Sequence, residues 1–559
     1  MTPLSRLRLA LVGIVLLVAM VVLSACPGAA PTQPAQPAAP AQPAQPAQPA
    51  QPAQPTPTPV PPTPTPVPPT PTPVPQPVTL TIATGTDIEN LNIHTVTSSP
   101  SFTVLEHIYE TLFYMNPEGQ LEPLLAESIT PNEDGSFTLK LRQGVTFSDG
   151  TPFNAAVVKA NLDWVLNPDN KATFRFLIDR IQEVVVVDDY TVNLKLSGPF
   201  APLPAHLSHG ALAMVHPDLL AQGSEAMAAN AVGTGPFLLD SWKRDEAVTL
   251  KKNPNYWGKP ATVDTVVFKV VKEDGARLVE VEAGTADVAV RVPPIEAERL
   301  DADPNINVIT TPGLRTIYIF FNVTAEPFTD PRVRQAVNYA VDKEAIVNEL
   351  FAGAARVSDA PFAPPIFGYA PQTPYPRDVA KAKQLLADAG IAPGTKVVLY
   401  HPTGRYVQDA LVADAVRSQL REVGLEVELK TLEWPQYVPT VRKPKPENDV
   451  QFAMLGWSTP TMDADYALYA LFHSSQHPPG FNGAFYSNPK VDELLDGART
   501  NPDQEARKQA YAEAIRLIWE DAPWLFLYSE VQKTAVRSNV EGFVVHPNER
   551  MIATYATKK

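Results

Sequence analysis

Hydrophobic and polar positions divide the chain into three regimes. Residues 9–22 are unbroken apolar, residues 27–78 carry no charge, and from Thr79 onward apolar positions recur with periods of two and of three to four. Period-two runs predict strands at 78–82, at 137–141 after an Asp134-Gly135 turn, and at 184–187 and 191–196, a hairpin across Asp188-Asp189. Helical spacing predicts a helix that starts at the cap and first-turn pair Asp330-Pro331. It carries Val333, Val337, Ala340, Val341 and Ile346 and stops before Gly353. Further helices are predicted over 380–390, 409–424 and 504–520, and 425–429 alternates again as a strand. Helix followed by strand recurs in the C-terminal half, and the first half is richer in strand. The class is therefore mixed α/β, in which ligands usually sit between lobes.

The first regime is a targeting signal. Arg6 and Arg8 precede the apolar run, and Leu23-Ser24-Ala25-Cys26 follows it. This order resembles a bacterial lipobox, so residues 1–25 read as a signal peptide and Cys26 as a lipidation site. The alternative is an uncleaved anchor, for which the run is short against the roughly 20 residues of a membrane span. Either way the rest of the chain is placed outside, on the outer face of the cytoplasmic membrane, periplasmic or at the cell surface. Residues 26–78 then form a lipidated cysteine and a proline-rich stalk. Repeats of Ala-Gln-Pro and Thr-Pro-Thr-Pro-Val-Pro-Pro cannot bury a core and favour extended polyproline II. At about 3.1 Å per residue the stalk reaches at most on the order of 150 Å.

Composition narrows the function. Cys26 is the sole cysteine, so no internal disulfide is available despite export. A net charge of −15 and the lack of any basic stretch beyond the signal exclude nucleic acid as a natural partner. Reaction chemistry is sparse. Gly233-Thr234-Gly235 runs into Pro236-Phe237 and fits neither a dinucleotide loop nor a P-loop. No Gly-x-Ser-x-Gly elbow occurs. His473 and His477 have the i, i+4 spacing of a helical metal pair, but Pro478-Pro479-Gly480 follows and no Glu lies between them. His206 and His209 sit in a Pro-containing stretch. Neither histidine pair makes a metal site, and no cofactor is implied.

Six ordered blocks carry a resemblance. They include Leu124-Leu125-Ala126-Glu127-Ser128, the run from Leu139 to Asn154 through Phe147-Ser148-Asp149-Gly150-Thr151-Pro152, and Val232-Gly233-Thr234-Gly235-Pro236-Phe237. They continue with Asn253-Pro254-Asn255-Tyr256-Trp257, Phe321-Asn322-Val323 and Pro327-Phe328-Thr329-Asp330-Pro331. In this the chain resembles the family 5 extracellular solute-binding proteins of ABC importers for dipeptides, oligopeptides, glutathione and nickel. The segments Gly456-Trp457-Ser458, 464–468 and 486–489 look most like the glutathione-binding subfamily.

The resemblance implies a bilobal, periplasmic-binding-protein-like fold of two α/β lobes (the class II, cluster C type). A two-strand hinge would join them, with an extra β-rich subdomain in lobe I. Lobe I would span 79–318 with 528–559, and lobe II 319–527. Peptide-binding relatives hold the ligand amine with an aspartate after the Gly-Trp block, where this chain offers Asp463 and Asp465. Pro460 departs from the pattern, and Asp465 serves equally as a helix cap. Trp457 is a flat wall for ligand or core packing, and Tyr466 follows in the same block. Arg405 and Tyr406 lie in a loop between strand and helix, where Arg405 either holds a carboxylate or is solvated. Asn322 serves ligand or hinge. Thr97, Ser98 and Ser99 form a polar loop, although Asn92-Ile93-His94 replaces the relatives' Asp-Pro. The implied partners are a short peptide or glutathione-like compound, ABC permease subunits with a cytoplasmic ATPase, and the membrane through Cys26. A monomer is expected. Other classes remain open: a peptide-sensing or chaperone-like lipoprotein, a nickel-chelate binder, or a secreted hydrolase.

Overall fold

A computed structural model gives the fold of residues 77–559. Two long strands organise it. Ile306–Phe321 and Trp524–Arg537 run antiparallel through an 11-stranded sheet and take different neighbours at their two ends. At one end Thr316 to Phe321 pair with Phe452–Trp457, beyond which lie Thr395–Thr403 and Leu425–Glu433. At the other, Ala535 and Val536 pair with Val288–Ala289. Thr79–Thr84, Thr265–Val270, Ala247–Lys252 and Phe237–Lys243 then follow in order. Each flank carries its own helices, and the molecule has two lobes.

The register of the long strands breaks where the lobes meet. Pro312 faces Val531 and Thr316 faces Ser529, so residues 313–315 stand opposite Glu530 alone. Extra residues on one strand bend it and re-aim its side chains. Gly313 permits the close approach, since a Cβ there would lie 2.5 Å from the Glu530 carbonyl oxygen. The irregularity precedes residue 318 on the first strand and follows residue 528 on the second.

The strand-rich subdomain is a separate four-stranded sheet. Ala126–Pro131, Phe137–Leu141, Thr191–Leu196 and Ile181–Asp188 lie side by side in that order, all antiparallel. The predicted hairpin forms its last two strands. Helix Ala155–Leu166 packs on this sheet and starts at Asn154, whose side chain accepts from the amides of Ala156 and Val157.

The helices expected at 380–390, 409–424 and 504–520 are Val379–Asp388, Asp409–Glu422 and Gln504–Asp521. One expectation changes. The single helix read from Asp330 to Gly353 is two, Pro331–Ala340 and Lys343–Phe351. Val341 is extended, and the Asp342 carboxylate accepts from the Ala345 amide at 2.9 Å to start the second helix. Apolar periodicity crosses the break because both helices cover the same core. Among the described residues no helix is long and apolar enough to cross a membrane. Cys26, the apolar run 9–22 and most of the proline-rich segment lie outside the described residues.

Candidate functional site

Between the two flanks of the sheet lies a cavity. One wall is Thr97, Ser98, Ser99, Phe102, His209, Arg315, Asn548 and Arg550. The other is Arg405, Trp434, Arg442, residues 455–458, Tyr466 and Phe481. Local sequence sets both walls. The loop bearing Arg405 follows strand Thr395–Thr403 and is folded by Asp409, whose carboxylate accepts from the amides of Arg405 and Tyr406 at 3.0 and 3.2 Å. The Thr97 loop is held by Glu89, which accepts from the Thr97 amide and hydroxyl at 2.9 and 3.0 Å. Ser98 pairs with Ser101 at 3.1 Å.

Four guanidinium groups line this cavity, and the carboxylates stand behind them. Arg315 donates to Glu549 at 2.8 Å, to the Gly456 carbonyl at 2.9 Å and to Ser99 at 2.8 Å. Arg405 reaches Glu549 at 3.3 Å, and Arg550 pairs with Glu106 at 2.7 Å. Burial alone would raise the Glu549 carboxyl, but Arg315 and Arg405 overcome it and hold the group well below the usual range. Burial pushes Glu106 up to about 7 against the pull of Arg550. Arg442 differs from the other three. It donates to the carbonyls of Pro479 and Gly480 and lies 4.1 Å from the Phe481 ring centre. No carboxylate of the described residues is within 4 Å of it. Burial lowers it to about 10, so it stays charged at neutral pH. A guest with carboxylate groups matches this wall.

Aromatic rings supply the flat surface. Trp457 stacks on Tyr466 with ring centres 5.1 Å apart, and Phe481 meets Trp457 edge-on at 4.9 Å. The Tyr466 hydroxyl and His209 Nε2 are 3.0 Å apart, a contact between the two walls. Trp457 Nε1 is buried and has no partner among the described residues.

The structure thus gathers Thr97, Ser98, Arg405, Trp457 and Tyr466 around one space. Tyr406 stands behind the wall, its hydroxyl accepting from the Gly456 amide at 2.8 Å. Asn322 is elsewhere: it follows the end of its strand, donates to the Val450 carbonyl at 3.0 Å and accepts from the Thr324 amide at 3.1 Å. Its amide is spent on that turn rather than on a ligand or the lobe crossing.

Asp463 and Asp465 also depart from the expectation that one receives a ligand amine. Neither lines the cavity. Asp463 caps helix Ala464–Phe472 through the Asp465 amide, and both its oxygens lie 2.8 Å from Arg507 Nη2. Asp465 is 3.2 Å from Arg499 Nε and 3.4 Å from His206 Nε2. Burial raises Asp465 to about 7 although Arg499 opposes it. Arg499 also donates to the Phe176 carbonyl at 2.7 Å and sits 3.8 Å from the Tyr469 ring centre. Asp463 is taken up by Arg507, and Asp465 is ion-paired with Arg499 although neither of its oxygens makes a hydrogen bond.

Arg315, Arg442, Arg550, Trp434 and Phe481 were not singled out from sequence. Arg315 left a signal, a lone charge before the apolar run 317–321. Arg442 ends helix Trp434–Val441 and Arg550 lies in the C-terminal tail, and neither left one. Among the described residues no group of three His, Cys, Asp or Glu is placed to hold a metal ion. His473 contacts Ser475 and lies 3.5 Å from Asp496, His477 contacts the Tyr486 carbonyl, and His206 contacts the Leu177 carbonyl.

Comparison with known proteins agrees with this architecture. The family profile "Bacterial extracellular solute-binding proteins, family 5 Middle" matches residues 120–478. The glutathione-binding protein GsiB of Salmonella typhi is 35% identical over 477 residues, covering 84% of this chain and 92% of that protein. Two solved structures superpose closely. DppA from Helicobacter pylori, in complex with the peptide STSA, has a TM-score of 0.79 at 28% identity and covers 86% of this chain and 98% of its own. AppA from Bacillus subtilis, in complex with a nonapeptide, has a TM-score of 0.80 at 26% identity, with coverage of 87% and 100%. With the family profile across the middle of the chain and a 35% identical relative along most of it, the protein belongs to the family 5 bacterial extracellular solute-binding proteins.

Proposed function

We propose that the protein is the substrate-binding component of an ABC importer. It captures a short peptide or glutathione-like amino compound between its lobes and delivers it to a membrane permease driven by a cytoplasmic ATPase. One observation carries the choice of guest: Arg442, which has no carboxylate within 4 Å, lines the inter-lobe cavity with three further arginines and the Trp457–Tyr466–Phe481 aromatic group, and among the described residues no carboxylate lines it. The cavity therefore favours a guest with carboxylates and a flat backbone over a neutral sugar or a cation. Contacts from both walls stabilise the closed form over the open one, and closure creates the surface a permease reads. No bond is made or broken in this cycle.

The anchoring follows from the sequence. Cys26 carries the lipid, residues 27–78 form the stalk, and the lobes fall at 79–318 with 528–559 and at 319–527. Lipid labelling that disappears in Cys26→Ser tests the anchor. For the guest, titration calorimetry with glutathione, di- and tripeptides, a sugar panel and a nickel–histidine chelate is the decisive measurement. Heat from glutathione or a peptide is expected. Heat from only the sugars or the chelate sinks the proposal.

A further inference from the structure

A second cavity adjoins the first and shares Ser99 and Arg405 with it. Most of its lining is apolar, but two charged side chains that line it each keep polar atoms without a hydrogen-bond partner. Glu530 is 8% exposed, and its Oε1 has no hydrogen-bond partner among the described residues. The Arg315 guanidinium stands 3.9 Å from the other oxygen, beyond hydrogen-bond reach. Arg291 donates through Nη1 to the Arg405 carbonyl, while its Nε and Nη2 are buried without a partner. No carboxylate oxygen of the described residues lies within 4 Å of Arg291.

The other charged groups of this cavity each have a partner, although Arg405 Nε is buried without one. Asp87 accepts from Trp242 Nε1 at 3.1 Å, Lys533 donates to Thr310 at 3.2 Å, and Glu549 serves Arg315 and Arg405. The Arg291 backbone is left-handed at φ 55°, a conformation a long side chain keeps only when its surroundings impose it. Gly85 makes room for it, since any Cβ there would run into the Arg291 guanidinium. An anion and a cation, each with unpartnered atoms, thus line a common cavity and lie more than 4 Å apart. Burial and the nearby Glu549 raise the Glu530 carboxyl, and burial with Arg277 and Arg405 lowers Arg291 to about 9. Each charge is destabilised alone, and a guest bearing both opposite charges relieves both.

We infer that this second cavity is a subsite for a free α-amino-acid head, Glu530 accepting from its ammonium and Arg291 donating to its carboxylate. The inference rests on the proposed capture of peptide-like guests, whose remainder lies in the four-arginine cavity. It narrows the substrate class. A γ-linked glutamyl compound keeps its α-ammonium and α-carboxylate on one carbon, whereas an α-linked peptide has spent that carboxylate in an amide. The site selects γ-glutamyl compounds over ordinary peptides.

Calorimetry on the purified full chain distinguishes the outcomes. The probes are glutathione, its α-linked isomer Glu-Cys-Gly and the deamino analogue glutaryl-Cys-Gly, against wild type, Glu530→Gln and Arg291→Met, with thermal melts confirming folding. Glutathione is expected to bind at least about 10-fold more tightly than either analogue, as loss of one charge-assisted contact implies. Glu530→Gln should bring glutathione to the level of the deamino analogue, and Arg291→Met to that of the α-linked isomer. Equal binding of all three, a preference that survives Glu530→Gln, or binding of α-linked peptides alone overturns the subsite and leaves the peptide-binding proposal standing. Heat from none of these probes and from no member of the peptide panel removes both.

Discussion

Replacing Asp463 separates two roles for one carboxylate. The structure gives it to Arg507 and to the first turn of helix Ala464–Phe472, away from the cavity. Asp463→Ala removes the cap, which costs about 0.5–2 kcal/mol. It also strands Arg507, whose side chain is 5% exposed, and breaking one partner of a buried pair costs about 3–5 kcal/mol. The two losses share one carboxylate, so they do not add fully, and about 3–5 kcal/mol in total is expected. A protein of this size shifts its Tm by about 2–4 °C or less per kcal/mol, so the melt should fall by several degrees. Asp463→Asn keeps the cap acceptor and should lose less. Differential scanning calorimetry measures the stability, and titration of glutathione and of its N-acetylated form measures binding. Both guests should lose affinity alike, through general loosening of the second wall. An unchanged Tm together with selective loss of the free-amine guest would refute this reasoning and return Asp463 to the role of amine receptor.

Three further outcomes follow from the site. Arg442→Met should weaken glutathione binding about 10- to 100-fold, the worth of one charged hydrogen bond, and equal affinity by calorimetry removes Arg442 from the site. Gly85→Ala should block closure, because its Cβ would lie 2.8 Å from the Gly404 carbonyl oxygen of the opposite lobe. The same Cβ meets the Arg291 and Arg277 side chains of its own lobe, so the unliganded Tm should fall as well; small-angle scattering should show no ligand-induced compaction, and normal compaction counts against it. Asp465 is raised from its ordinary 3.8 to about 7, so the native state holds that proton more tightly than the unfolded chain. Its contribution to stability is full below about pH 4 and is lost as pH rises toward 7. His206 beside it, held down to about 3 by burial and then Arg499, has the opposite trend and loses its contribution as pH falls from 6.5. Asp465→Asn should therefore gain stability relative to wild type as pH rises from 4 to 7, measured by urea unfolding. A constant difference across that window discards the assignment.

The elements were legible wherever one physical period acted alone. Strand Phe137–Leu141 and helix Gln504–Asp521 alternate cleanly because one face is buried and the other is wet. The break at Val341-Asp342 was hidden, since two helices on one core continue the same apolar stripe. In the site, Trp457 and Arg405 were legible from the blocks and loops that carry them. Asp463 misled because a carboxylate after the Gly-Trp block looks the same in sequence whether an amine or Arg507 answers it. Arg507 lies 44 positions away. Arg550 and Glu549 were invisible for the same reason. They enter the cavity only because the C-terminal tail returns to the first lobe, where the His546 ring meets the Met115 carbonyl across 431 positions.

That return gives the long antiparallel strands a consequence in time. Strand Val288–Ala289 is held between Thr79–Thr84 and residues 535–536, and the first half of Ile306–Phe321 has only Trp524–Arg537 as its antiparallel partner. A chain made from its N-terminus therefore waits almost to its last residues before the first lobe can close its sheet. Until then the edges of that sheet stay open to other chains. The second lobe has its own inner strands complete much earlier, so it can condense while the first is unfinished. The lobe that begins the sequence is the last to be finished, and loss of the final segment should disable the beginning of the protein more than its middle.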